Sequence, residues 1–167
     1  MSDFLNSISH FWHNQQHYFI DFEASGLDPR SYPIEIGIVG CDGSCFETLI
    51  KPASHWKYWS QDAEDIHGII RERLEDGMKV AALARQLNER YAGKTLWADS
   101  LYDRVWMRVL FAAAGLEPAF TLGNLYSQLP QSQIEVFRQH IKTPVAHRAL
   151  QDAFDIRTAW FNYLKAS

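Results

Sequence analysis

The sequence predicts a single α/β domain in which a mixed five-stranded sheet carries helices on both faces. Three apolar segments joined by short links come first, and such a succession indicates three antiparallel strands. Short apolar runs then alternate with helical patterns, and a helical crossover joins parallel strands. The 167 residues, of which 47% are hydrophobic, suit one domain with a sizeable core.

The three N-terminal strands are bounded by turn signals. The first runs over residues 18–23, which are rich in aromatic and β-branched side chains, and the second covers 34–39. The Asp42-Gly43 pair is a strong hairpin signal, and it leads into a third strand over 46–50. We expect the first strand to lie centrally in the sheet.

The later elements are predicted from helical spacing and stop signals. Val80, Leu83 and Leu87 recur at helical intervals. The expected order is a short helix capped by Ser60 and ending near His67-Gly68, a helix over 78–92, a strand over 95–98, a helix over 100–114, an edge strand over 119–122, two helical segments either side of Pro130, and a last helix over 149–164. We expect residues 1–16 to form an N-terminal arm and 17–167 to form the single domain.

Charge and hydropathy narrow the function classes. The net charge of −4 argues against a protein that coats duplex nucleic acid, but it allows a cleft that takes one strand end. No apolar run approaches the roughly 20 residues that span a bilayer. Residues 1–16 lack the basic region and apolar core of a signal peptide, so we expect a cytoplasmic protein without a membrane partner.

The first strand carries two acids, Asp21 and Glu23. Side chains two apart on a strand share a face, so these carboxylates lie side by side with Phe22 turned away. Two like charges resist burial, and a shared Mg²⁺ or Mn²⁺ removes that cost. The alternative is a strand end with two hydrated acids, which we favour for an Asp-x-Glu pattern taken alone.

Two further clusters carry chemistry. Asp99 is placed as the N-cap of a helix, whereas Asp103 lies inside that helix beside its apolar face. Asp152 lies inside the last helix, and His147 just precedes it. A histidine exchanges a proton near neutral pH, so His147 is either a general base or a solvated loop residue.

The ordered set of Asp21-x-Glu23, Asp103 and His147-x4-Asp152 resembles the DEDDh family of 3′-to-5′ exonucleases, which includes polymerase proofreading subunits, ribonuclease T and oligoribonuclease. The resemblance covers roughly residues 18–165. Segments 34–37 and 66–69 also look like recurrent family segments. The chain departs from the family pattern with Ser25 for Thr, Asp99 for Asn and Tyr102 for Phe.

The resemblance implies a ribonuclease H-like fold and hydrolysis of single-stranded RNA or DNA from the 3′ end to nucleoside 5′-monophosphates. It implies two divalent ions, Mg²⁺ or Mn²⁺. Asp21, Glu23 and Asp152 would hold the ion that activates water. Asp21 would also bridge to the second ion, Asp103 would complete the site, and His147 would take the proton.

The resemblance also implies substrate contacts. Ala24, Ser25 and Gly26 would offer backbone groups, and Leu27 would wedge against a base or, equally, fold back on the core. For His67 a packed or helix-ending role is favoured over a substrate contact, and the loop over 56–59 is either packed or a stacking surface.

The expected partner is a single-stranded 3′ end, and the family makes a homodimer possible. The competing hypotheses are a nucleic-acid-binding module with a metal site but no turnover, and an oligomeric scaffold. His147 argues against the first, because binding alone needs no general base.

Overall fold

The computed structural model describes residue 12 and residues 17–143 and 145–166. Most of the expected N-terminal arm lies outside the described residues. Trp12 is its one described member, and its indole is buried against Phe19, Trp97 and Trp160.

A six-stranded mixed sheet forms the centre of the molecule. Its strands are β1 (Tyr18–Ala24), β2 (Pro33–Gly40), β3 (Cys45–Lys51), β4 (Met78–Lys79), β5 (Thr95–Ala98) and β6 (Thr121–Asn124). The order across the sheet is β4-β3-β2-β1-β5-β6. β1, β2 and β3 pair antiparallel, whereas β5 is parallel to β1 and β6 is parallel to β5. The mixed sheet and the central first strand are therefore confirmed.

The prediction of five strands omitted β4, a two-residue strand parallel to β3. The preceding Gly77 explains this pairing, because a Cβ there would lie 2.7 Å from the backbone nitrogen of Lys51. Backbone segments this close can form a strand pair. Because residues 78–79 form β4, the helix expected from residue 78 begins at Val80.

Five α-helices surround the sheet in the described part of the chain. They are α1 (Gln61–His67), α2 (Val80–Tyr91), α3 (Leu101–Ala114), α4 (Ile134–Arg138) and α5 (Ala149–Ala166). Short 3₁₀ helices cover Arg71–Asp76, Leu125–Gln128 and Gln131–Gln133. The Ser60 hydroxyl caps α1 by accepting from the Ala63 backbone N–H at 3.3 Å, as its sequence predicts. Within the described ranges, no helix has both the length and the apolar character that crossing a bilayer requires.

Helices cover both faces of the sheet and create two cores. Ile20 and Phe22 of β1 pack in the core that includes α2 and α3. Phe19 packs instead with Trp160 and Tyr163 of α5. Because side chains alternate along a strand, Asp21 and Glu23 share the face of Phe19 and lie on the side of α5. This alternation fixes where the acids of β1 meet the last helix.

Candidate active site

The C-terminal end of β1 brings one half of the site to the start of α5. Ligand atoms of Glu23, His147 and Asp152 all lie within 4.8 Å of one another. Asp152 is buried, and its two oxygens accept from the backbone N–H groups of Ala146 at 3.1 Å and Arg148 at 3.2 Å. The loop before α5 therefore folds around the Asp152 carboxylate, which places the exposed His147 beside Glu23.

A second group of acids includes Asp21 itself. Carboxylate oxygens of Asp21, Asp99 and Asp103 lie within 4.8 Å of one another. Asp103 is only 2% exposed, and its Oδ1 accepts from the Phe22 backbone N–H at 3.2 Å. Its Oδ2 is buried and has no hydrogen-bond partner among the described residues.

The expectation that Asp99 caps the helix is wrong. The N-cap of α3 is Ser100, whose hydroxyl accepts from the Tyr102 backbone N–H at 3.1 Å. Both residue types cap helices well, and the hydroxyl of Ser100 fills the position. The Asp99 side chain instead lines a cavity with Asp21 and Glu23.

Burial and mutual repulsion raise the pKa values of these acids. Burial, followed by the charges of Asp103 and Glu23, raises the pKa of Asp21 well above its usual range. Burial and the Asp152 charge raise the pKa of Glu23 to about 8. Burial, with Asp99 next, also raises the pKa of Asp103 well above normal. The folded chain thus strongly favours a positive charge at this place.

A buried glutamate anchors the helix that carries Asp152. Glu35 of β2 is 1% exposed, and its carboxylate accepts from Arg148 Nη2 at 2.6 Å and Nε at 3.1 Å. It also accepts from the Ala149 backbone N–H at 2.9 Å, so it satisfies one free donor at the start of α5. Gly37 lets the same helix approach, because a Cβ there would overlap backbone atoms of Ala149 and Leu150.

A groove of about 350 Å³ leads to the acids. Besides Asp21, Glu23, Asp103 and His147, its lining residues are Phe22, Ala24, Gly26, Leu27, Ala63, Ile66, His67, Ser100, Tyr102 and Trp106. Leu27 is 71% exposed, which contradicts the alternative that it folds back on the core.

Two of the other residues expected to contact substrate, His67 and Ser25, have partners within the protein. His67 is the buried last residue of α1, and its Nδ1 accepts from the Ile69 backbone N–H at 3.0 Å, so the packed, helix-ending role describes it. Ser25 is not among the residues that line the groove. Its N–H donates to the Tyr32 carbonyl and its own carbonyl accepts from the Ser60 N–H, each at 2.9 Å. The structure therefore does not favour a substrate contact from the Ser25 backbone.

The aromatic loop over 56–59 is at least partly packed. The ring of Trp56 is buried and stacks on Tyr32 with centroids 5.1 Å apart. Trp59 donates from Nε1 to a Glu64 carboxylate oxygen at 2.7 Å. Neither side chain lines the groove, which weakens the interpretation of this loop as a stacking surface.

Comparison with known proteins places the chain in a family. The RNase T exonuclease family model matches residues 18–110, which is more than half of the chain and includes Asp21, Glu23 and Asp103. The chain belongs to the RNase T exonuclease family. The DEDDh resemblance is therefore confirmed at the level of the family. No curated protein sequence matches this RNase T family member.

Solved exonucleases share the fold of this RNase T family member. Escherichia coli Exonuclease I in complex with a dA16 oligonucleotide superposes with a TM-score of 0.69 at 15% identity, over 90% of this chain. Exonuclease I from Methylocaldum szegediense gives 0.63 at 17% identity, over 89% of this chain. A 3′-exonuclease in a structure of 3′-end-specific recognition of histone mRNA stem-loop gives 0.68 at 16%, over 91% of this chain and 82% of its own.

The chain spans about 40% of the length of both Exonuclease I structures. At these identities the comparisons show the fold, and they confirm the expected α/β architecture with its mixed sheet.

Three residues around the site, Glu35, Ile66 and Trp106, had no role predicted from the sequence. Glu35 is the one acid in an otherwise apolar strand, and this break in the pattern is a signal for a buried, partnered charge. Ile66 and Trp106 line the groove from α1 and α3. Ile66 lies in the family-like segment 66–69, whereas nothing in the local sequence of Trp106 separates it from an ordinary helix residue.

Proposed function

We propose that the chain is a divalent-metal-dependent 3′-to-5′ exonuclease that hydrolyses single-stranded RNA or DNA and releases nucleoside 5′-monophosphates. The observation that carries this proposal is the convergence of five carboxylates and His147 at the end of β1, in two groups that each suit one cation. Membership in the exonuclease family supports it.

The residues fit divalent ions. Their donors are carboxylate oxygens and one imidazole, and hard cations such as Mg²⁺ and Mn²⁺ prefer oxygen. The buried Oδ2 of Asp103, which has no partner in the described chain, is an orphaned ligand atom. In this proposal Asp21, Glu23, Asp103 and Asp152 hold two ions. When bound, such ions supply Lewis-acid stabilisation of charge on the oxygens that attack and leave phosphorus.

His147 is the proposed general base. It is exposed, and one of its ring nitrogens lies within 4.8 Å of carboxylate oxygens of Glu23 and Asp152. An imidazole there accepts a proton from an attacking water at neutral pH and passes it to solvent.

The groove is the proposed seat of the terminal nucleotide. Ala24 and Gly26 bring backbone to its wall, and the exposed Leu27 and Tyr102 offer apolar surface to a base. Its described lining contains no Lys or Arg, so binding would depend on the cations and on apolar contacts with one strand end. Among the relatives in fold, one binds a DNA oligonucleotide and another recognises a histone mRNA stem-loop, so the choice of sugar needs a direct test.

A time course with 5′-labelled single-stranded RNA and DNA tests the proposal, in Mg²⁺, in Mn²⁺ and in EDTA. We expect a ladder that shortens one nucleotide at a time and disappears in EDTA. Asp21→Asn should slow hydrolysis at least about a hundredfold, because it removes a carboxylate ligand from the group that Asp21 forms with Asp99 and Asp103. Asp76→Asn is the matched control, because Asp76 is an exposed acid that lines neither the groove nor the cavity beside Asp99.

Two results would count against the proposal. Full activity of Asp21→Asn would refute the metal assignment. Metal-dependent binding of the oligonucleotide without cleavage of either sugar would favour the binding module.

A further inference from the structure

Asp99 has no part in capping α3. It follows the last residue of β5 directly, and the hydroxyl of Ser100 already fills the N-cap position. β5 runs parallel to β1, so both strands end at the same edge of the sheet. The Asp99 carboxylate is partly buried and lines the cavity that Asp21 and Glu23 also line.

The spacing of Asp99 from its neighbours suits a shared cation. One of its oxygens lies within 4.8 Å of oxygens of both Asp21 and Asp103. Ligands that each lie about 2.0–2.6 Å from one ion are separated by up to roughly 5 Å. Three oxygens at this spacing therefore fit around a single divalent ion.

A second observation points to a ligand at the same place. Asp103 is 98% buried, and its Oδ2 has no hydrogen-bond partner in the described part of the chain. A buried carboxylate oxygen without a partner costs free energy that a coordinated cation removes. The described lining of the Asp99 cavity holds one lysine, Lys142, whose Nζ lies 3.6 Å from Asp155 instead.

We propose that Asp99 is a fifth carboxylate ligand, which binds the cation held by Asp21 and Asp103. The inference rests on the proposed function and adds a residue to its metal site. An extra negative ligand raises the affinity of a site for a hard cation. The ion between Asp21 and Asp103 is consequently held more tightly than a neutral side chain at position 99 would allow.

Titration calorimetry of the metal-free full chain with Mn²⁺ tests this ligand. Asp99→Asn keeps the shape of the side chain and removes its charge, and Asp99→Ala also removes the oxygen. We expect both to weaken one of two Mn²⁺ sites at least about tenfold, the lower end of what even outer ligands contribute. Asp155→Asn, whose carboxylate lines the same cavity beside Lys142, should bind Mn²⁺ within twofold of the wild type.

Thermal unfolding supplies a second readout that needs no catalysis. Without metal, Asp99→Asn should melt at a higher temperature than the wild type, because one repulsive charge is gone. The rise in melting temperature on adding Mn²⁺ should be smaller than in the wild type. A higher metal-free melting temperature would also show that the variant folds.

The outcomes separate this inference from the function on which it rests. Wild-type binding of Mn²⁺ with unchanged affinity in both Asp99 variants would overturn the ligand role and leave the exonuclease proposal standing. Absence of Mn²⁺ binding by the wild type would overturn both. Weakened Mn²⁺ binding in an Asp155→Asn variant to the same degree would reduce the effect to general charge and also overturn the ligand role.

Discussion

The backbone of His147 is left-handed, with a φ of 53°, which is uncommon for a residue other than glycine. The flanking residues hold it there, because the N–H groups of Ala146 and Arg148 both donate to Asp152. This conformation costs free energy, and such costs cluster at functional sites. The contacts with Asp152 thus hold the strained backbone in place and keep the imidazole near Glu23.

We predict that His147→Ala lowers kcat by about 10²–10⁴-fold, the usual contribution of a general base. The acidic limb of the pH–rate profile should also change, and the affinity for Mn²⁺ should fall much less than in Asp21→Asn. His55→Ala, which removes an exposed histidine from a loop, is the control. A wild-type pH profile in His147→Ala would contradict the role of a base.

Sequence patterns predicted some of these residues better than others. The period of a strand placed Asp21 and Glu23 on one face without further information. The backbone conformation of His147 has no signature in the sequence, since it arises from the Asp152 contacts. Asp99 and Ser100 are both good capping residues, so only the geometry of the helix start decides which of them caps.

At the scale of elements, the site depends on how α5 lies on β2. Glu35 binds the guanidinium of Arg148 and the backbone N–H of Ala149, so strand and helix are joined at the turn that carries His147. Glu35 also lies opposite Glu23 in the β1–β2 register. Arg148 thus neutralises one of two facing acids and leaves Glu23 for a cation.

Glu35→Gln should lower the free energy of unfolding by about 1–3 kcal/mol, because a neutral amide replaces the carboxylate that accepts charge-assisted hydrogen bonds from Arg148 and Ala149. It should also lower the rate of hydrolysis, since α5 loses an anchor. Urea denaturation measures the first effect. Glu47→Gln is the matched control, because Glu47 is exposed and lies 3.8 Å from the same guanidinium, and we expect a change of about 0–1 kcal/mol. Equal losses in both variants would contradict the anchor.

Elements with a strong local signal were predicted and those set by distant contacts were not. The cap at Ser60 is local, and the structure confirms it. The end of the helix expected over 100–114 is local too, because Gly115 follows it as a left-handed C-cap. β4 has two residues and exists because Gly77 lets the chain approach β3. No pattern within two residues specifies such a pairing, so it was absent from the sequence prediction.

For the molecule as a whole, the repulsion among the buried acids lowers the free energy of unfolding when no cation is bound. The pKa of Glu23, about 8, lies above its ordinary value of 4.5. The folded chain therefore binds this proton more tightly than the unfolded chain does. The resulting stabilisation is complete below about pH 4.5 and is lost as the pH rises through 8.

We predict that the melting temperature of the metal-free protein falls progressively as the pH rises from 5 to 8. For one proton, the free energy of unfolding should fall by at most about 1.4 kcal/mol per pH unit. Added Mg²⁺ should stabilise the protein more at pH 8 than at pH 5, because it binds the deprotonated acids. Scanning calorimetry in EDTA and in Mg²⁺ measures both effects. Glu23→Gln should flatten the decline in EDTA, and an unchanged slope would contradict the assignment to Glu23.

The overall topology could be predicted from the sequence because it follows from the lengths of the connections between elements. Short links gave the antiparallel strands, and helical crossovers gave the parallel ones. The convergence of β1, β5, α3 and α5 at one place was less accessible, since it depends on tertiary packing. The family resemblance supplied that convergence, and the structure supplies its distances.

The contact of α5 with Gly37 constrains how this chain can change over time. Every other amino acid has a Cβ, and any Cβ at this position meets the backbone of the helix rather than an adjustable side chain. No single substitution of Gly37 is therefore expected to be neutral. A lineage could replace this glycine only after a compensating change had already moved the helix, and that movement would separate Asp152 from Glu23. Descendants that keep the chemistry are expected to keep the glycine.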